Sequence, residues 1–110
     1  FKAGELTQDL IWEQYPYPVT LDQILAGNSN TMITEATATT PLNPPLAPQN
    51  DVWINKTGST NGFASYVAFI PAKKIGIVIM TNKNHPINPR ITAAYQILTE
   101  LDRQTAVGKP

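Results

Sequence analysis

The chain has 110 residues, 42% of them hydrophobic, enough for one small domain with a modest core. Eight basic residues balance eight acidic ones without clustering, which excludes the electrostatic footprint of a nucleic-acid binder. No apolar run approaches the roughly 18 residues of a membrane span, the absence of cysteine excludes disulfides and thiolate metal sites, and a single histidine, His85, leaves little for a zinc site, so no metal or cofactor is expected.

The N-terminus "FKAGELTQ" lacks the basic-then-apolar order of a signal peptide and does not begin with Met, so the chain is expected to be a piece of a longer protein. "LTQDLIWEQYPYPVT" predicts a short strand near Leu10 to Glu13, closed by Pro16 and Pro18, which cannot donate to a ladder. In "TLDQILAG", Thr20 suits the N-cap of one or two helical turns, Ile24 and Leu25 face inward, and Gly27 terminates them. Residues 28–50, rich in Thr, Asn and Pro, read as a long surface connection with polyproline-like backbone around "NPPLAP". A loop of that length in a compact domain is either functional or a linker.

From residue 51 the pattern turns to strands. "DVWIN" is a short apolar one and "GFASYVAFIP" a longer one with Phe63, Ser65, Val67 and Phe69 on one face. After a tight turn at Pro71 to Lys74, "IGIVIMTN" is nearly continuously apolar, the pattern of a strand buried on both faces. Residues 51–82 therefore predict an antiparallel meander. Over 88–103 the helical signal is the clearest in the chain: Asn88 at the N-cap, Pro89 at the first helical position, and Ile91, Ala94, Tyr95, Leu98 and Leu101 at helical spacing. Residues 104–110 read as a frayed tail. The fold class is α+β, an antiparallel sheet of three main strands plus a short N-terminal one, packed by the C-terminal helix.

The stretch "WINKTGSTNGF" carries the chemistry. Lys56 at a sheet edge can offer an ammonium to an anion, and the Thr57 hydroxyl can donate beside it. Gly58 removes a side chain that would block close approach, and the next backbone N–H can point at a developing oxyanion. A Lys-Thr-Gly tripeptide alone also fits an ordinary strand end followed by a turn. Trp53, Tyr66 and Tyr95 read as packing residues, and His85 as a surface residue.

The ordered set of "KTG", a following "GF", the "AFIP" strand end and "NKN" before the last helix resembles the C-terminal part of class C serine β-lactamases, which share the penicillin-recognising fold with the D-alanyl-D-alanine peptidases. The resemblance reaches upstream through "LIWEQYPYPVTLDQILAGNSN" and covers the chain to about residue 103. It implies that Lys56 supports the substrate carboxylate and the proton-transfer network around the nucleophile. Thr57 would hydrogen-bond that carboxylate, and Ser59 would lend its backbone N–H to the oxyanion hole. Asn84 and Arg90 match positions near the carboxylate end of the pocket; for Arg90, a guanidinium forked onto a carboxylate and a solvated first-turn residue stand level. Asn30 matches a position on the loop at the leaving-group side, which would make 28–50 a wall of the site. Ala64 replaces a usual second glycine, and Ile87 stands where some members carry a carboxylate-binding asparagine.

Serine acyl transfer needs a nucleophile with an adjacent base. In the family these are Ser-x-x-Lys and Tyr-x-Asn, and neither occurs here. The chain alone is therefore expected to be inactive and to require the N-terminal remainder of the same enzyme as its partner, with β-lactams as ligands and the periplasm as its location. Alone it is also expected to be poorly folded or self-associating, since a meander with one helix leaves a sheet edge and an apolar face uncovered. A peptidase or esterase relative on the same fold, and a non-catalytic binding fragment, are the alternative functions.

Overall fold

The structure, a computed structural model, describes residues 1–44 and 46–108, the side chains at 30, 33 and 106–108 excepted. Six strands run in sequence order through one sheet: β1 (Lys2–Ala3), β2 (Leu6–Asp9), β3 (Trp12–Pro16), β4 (Val52–Ser59), β5 (Ala64–Ile70) and β6 (Ile75–Thr81). Every neighbouring pair is antiparallel. The meander over 51–82 is the one the sequence predicts, with a short 3₁₀ turn at Pro71–Lys73 joining β5 to β6.

The N-terminal region departs from expectation, since it holds three strands rather than one. Leu10 and Ile11 are not strand residues but the turn between β2 and β3, with Leu10 at φ 57° and 96% exposed. Their apolar character suggested pairing, but a left-handed backbone at Leu10 reverses the chain there. Pro16 closes β3 while still opposite Val52, a strand-end position that needs no N–H donor.

Three helices complete the fold: α1 (Leu21–Gly27), α2 (Asn30–Thr34) and α3 (Ile87–Gly108). Thr20 caps α1 reciprocally with Gln23: the Gln23 N–H donates to the Thr20 hydroxyl, and the Thr20 N–H to the Gln23 side chain. Ile24 is fully buried and Leu25 half-buried, as expected. Gly27 is demanded by packing, because a Cβ there would lie 1.9 Å from the Tyr15 hydroxyl oxygen. The long connection is not wholly loop, since Ser29 caps α2 by accepting from the Met32 N–H. Pro45 and residues 109–110 lie outside the described residues.

Helix α3 begins at Ile87, one residue ahead of the predicted start, and runs through 108 where a frayed tail was expected. Glu100 explains part of the extension, accepting from Arg103 and Gln104 three and four residues on. Its buried face meets the sheet and α1. Trp53, Tyr66 and Ile70 pack with Ile24, Ile91 and Leu98, each of the six at 0% exposure. Burying an aliphatic side chain of this size contributes about 1.5–3 kcal/mol. Polar ties fix the helix laterally: the Tyr17 hydroxyl donates to Asp102 at 2.7 Å and the Tyr95 hydroxyl to the Val19 carbonyl at 2.8 Å. Leu101, expected on the inner face, is 40% exposed.

Strand alternation puts Ala64, Tyr66, Ala68 and Ile70 of β5 toward the helices, while Ser65, Val67 and Phe69 face the other way and are half-buried. β6 corrects its own sequence pattern. It is the last strand of the sheet, and its far face is open, with Val78 62% and Met80 80% exposed. The run is apolar on both sides, but only one side is covered here. Among the described residues no helix is long and apolar enough to cross a membrane.

Candidate active site

The Lys-Thr-Gly stretch lies on a half-free edge. The pairing of β4 with β3 ends at Asn55 opposite Glu13, whereas its pairing with β5 continues to Ser59 opposite Ala64. From Lys56 to Ser59 one edge of β4 therefore has no strand partner among the described residues, because β3 turns away at Trp12 into its hairpin with β2. Lys56, Gly58 and Ser59 are exposed and Thr57 is half-buried. The Lys56 ammonium donates to the Thr57 carbonyl at 2.9 Å. A Cβ at Gly58 would approach the Ser65 hydroxyl oxygen to 3.1 Å, so the glycine relieves a close contact on this strand.

The edge opens on a cleft of about 740 Å³. Lys56 to Ser59 form one wall, and the segment before α3, with Asn84 and His85, forms another. Asn84 and His85 are both exposed, as a mouth position requires. Asn28 and Met32 line the side nearest α2, so part of the 28–50 connection does border the cleft. Asn30 opens α2 in the same region, but its side chain lies outside the described residues. Ile87 lines the cleft and packs on the core.

Arg90 is neither of the two things the sequence left open, a free fork or a solvated surface residue. It is 6% exposed, and its guanidinium donates to the Ser65 carbonyl at 2.9 Å and the His85 carbonyl at 3.3 Å. These bonds tie the first turn of α3 to β5 and to the segment carrying Asn84. Arg90 still lines the cleft, and its Nε is buried without a hydrogen-bond partner.

Two features were missed by the sequence reading. The first is a buried polar chain: the Trp53 indole N–H donates to the Tyr66 hydroxyl at 3.2 Å, and that hydroxyl donates to the Asn55 carbonyl oxygen at 2.7 Å. The Asn55 amide in turn donates to the Glu13 backbone carbonyl at 3.5 Å, the last rung before Lys56. Burial pushes the Tyr66 phenol above its ordinary range. The second is Glu13 itself, which lines the cleft as the only acidic residue among the described lining residues. One of its carboxylate oxygens is buried without a partner. Burial raises its carboxyl above the ordinary 4.5, and the Lys56 charge pulls partly the other way. Period-2 alternation from core-facing Tyr15 would have found Glu13, had the strand been drawn over 12–16 rather than 10–13.

A helix-backed antiparallel sheet that offers such an edge to a cleft has the fold shared by serine β-lactamases and D-alanyl-D-alanine peptidases, and solved structures of both kinds superpose on it. A D-alanine carboxypeptidase AmpC from Burkholderia cenocepacia matches with a TM-score of 0.87 at 60% identity, over 90% of this chain and 29% of that one. A class C β-lactamase matches at 0.81 and 59% identity, over 92% of this chain and 26% of its own. The β-lactamase family model matches residues 14–101, and the chain belongs to that family. A β-lactamase of Psychrobacter immobilis is 48% identical over 98 residues, 89% of this chain and 24% of the relative. The chain thus spans about a quarter of the length of the curated relatives it matches.

Proposed function

We propose that this chain is the substrate-binding portion of a serine β-lactamase, and that the cleft beside β4 receives a β-lactam with its carboxylate toward Lys56 and Thr57. The observation that carries the reading is the half-free edge from Lys56 to Ser59, where backbone and side-chain donors stand beside a polar cleft with no strand covering them. In this reading a serine on the remainder of the enzyme attacks the lactam carbonyl and the ring C–N bond breaks. The nitrogen takes a proton, and water then hydrolyses the acyl ester. The Ser59 N–H stabilises the oxyanion. Lys56 supplies positive charge to the carboxylate and to the proton-transfer groups, and Thr57 and Asn84 orient the carboxylate. Gly58 keeps the edge approachable, and Asn30 borders the leaving-group side. Arg90, its guanidinium spent on two carbonyls, acts on the carboxylate end mainly by fixing the Asn84 segment. The place of action is the periplasm, and the partner is the N-terminal remainder that bears the nucleophile.

The test is hydrolysis of a chromogenic cephalosporin by this chain alone and after mixing with the nucleophile-bearing part. Activity on mixing only supports the reading. No lactam hydrolysis in either case, with ester turnover instead, overturns it. One observation favours a second reading, D-alanyl-D-alanine carboxypeptidase activity: structures titled for that activity match at 60% and 54% identity, the latter from Pseudomonas syringae and titled for both activities. Release of D-alanine from a D-alanyl-D-alanine peptide by the mixed protein, faster than cephalosporin hydrolysis, would select it.

A further inference from the structure

The charges around the cleft do not simply add up to an anion site. Lys56 is exposed on the edge strand, and among the described residues its ammonium is bonded only to the Thr57 carbonyl. Arg90 is buried with two donors committed to backbone carbonyls. Lining the same cleft from β3 is Glu13, anchored through its backbone to Asn55 and placed one rung before Lys56, with a buried carboxylate oxygen that no donor among the described residues satisfies. A carboxylate held this way, within the field of a lysine that serves an incoming anion, reduces the attraction the site can exert. An unpaired carboxylate brings no compensating structural bond.

We propose that Glu13 is a specificity-determining residue of the cleft: its carboxylate offsets the Lys56 charge and weakens the binding of anionic substrates, and a proton on it strengthens that binding. The inference rests on the reading of the cleft as an anion-binding site. Burial moves the Glu13 carboxyl above its ordinary value, and the Lys56 charge pulls partly the other way. The other titratable and charged groups around it are Lys56 on β4, Tyr15 on β3, Tyr66 on β5, and Arg90 and His85 on the cleft lining; β2 contributes the neutral Leu6 and Gln8, and the α1–α2 side the neutral Gly27, Asn28 and Met32. Of these, His85 carries the chain's one imidazole.

The experiment measures kcat and KM of the full-length enzyme for a chromogenic cephalosporin and for its carboxylate methyl ester from pH 4, below the ordinary carboxyl value of 4.5, up to pH 8. His85→Gln is present throughout, so that the imidazole is absent from the profile. For the anionic substrate KM rises with pH as Glu13 ionises, while for the ester it does not. Glu13→Gln lowers the KM for the anion at pH 8 by about fivefold, the order expected for removing one charge from a partly screened cleft, and flattens the profile. Glu13→Asp keeps the pH dependence. A profile for the anion as flat as for the ester overturns the proposal without any variant at position 13, as does a Glu13→Gln enzyme with unchanged KM. Lys56→Ala separates the two levels: if it raises KM for the anion while Glu13→Gln does nothing, only the role of Glu13 fails. If Lys56→Ala leaves KM unchanged, the anion-site reading fails and the role of Glu13 with it.

Discussion

Removing one hydroxyl from Tyr66 and one from Tyr15 is the same chemical change at two buried rings of the same sheet face, yet the structure predicts opposite outcomes. The Tyr66 hydroxyl accepts from Trp53 and donates to Asn55, and all three residues are at 0% exposure. Tyr66→Phe leaves an indole N–H and an amide oxygen buried without partners, each costing about 1–3 kcal/mol. Partial relaxation puts the sum at about 2–4 kcal/mol. Tyr15, 1% exposed, has a hydroxyl with no hydrogen-bond partner, so its desolvation is uncompensated. Tyr15→Phe removes that cost with only a small loss of packing, and is expected to be neutral or slightly stabilising. Thermal unfolding of the full-length protein, followed by circular dichroism, should lower Tm by roughly 2–5 °C for Tyr66→Phe and leave it unchanged or raised for Tyr15→Phe. Equal losses for both would mean that hydroxyl packing rather than hydrogen bonding decides the energy at this face.

Gly27→Ala should cost about 1–3 kcal/mol through overpacking against Tyr15, and adding Tyr15→Phe should recover part of it, since the nearest remaining atom is then a ring carbon at 3.0 Å. A double-mutant cycle in urea checks the coupling, and strict additivity would count against the contact. Because folding raises the Glu13 carboxyl above 4.5, the stability it allows is fully present below that pH and is lost as pH rises through the higher folded value. Glu13→Gln should therefore raise Tm relative to the parent at pH 7 but not below pH 4.5. A gain confined to acid would have the wrong sign. In the reconstituted enzyme Lys56→Ala should reduce turnover far more than His85→Ala, and equal reductions by kcat/KM would contradict the assignment of the β4 edge as the substrate strand.

What the sequence made legible was periodic or punctuated. β4 and β5 stood out because apolar, β-branched and aromatic residues cluster between turns, α3 because Ile91, Ala94 and Leu98 recur on one face, and α1 because Thr20 suits an N-cap and Gly27 a terminator. The N-terminal hairpin was hidden by its own turn: Leu10, Ile11 and Trp12 are apolar but exposed, so hydrophobicity placed the strand two residues early. Glu13 vanished with that error, since strand phase alone decides which side chains reach the cleft. β6 misled in the other direction, because an apolar far face marks what a strand is suited to touch, not what covers it. Lys56, Thr57 and Ser59 were visible as a motif, but the free edge that gives them meaning arises from where β3 leaves the ladder, a tertiary fact no tripeptide encodes. Arg90 shows the same limit: its charge was legible, but its two carbonyl acceptors lie 25 and 5 residues away in the chain.

The structure of the full-length enzyme trapped as its acyl adduct with a cephalosporin would decide whether the β4 edge holds the substrate. The ligand carboxylate is expected within hydrogen-bond distance of the Thr57 hydroxyl and beside the Lys56 ammonium, with the acyl oxygen facing the Ser59 N–H. A ligand whose carboxylate lies away from the Lys56–Ser59 edge would contradict that placement.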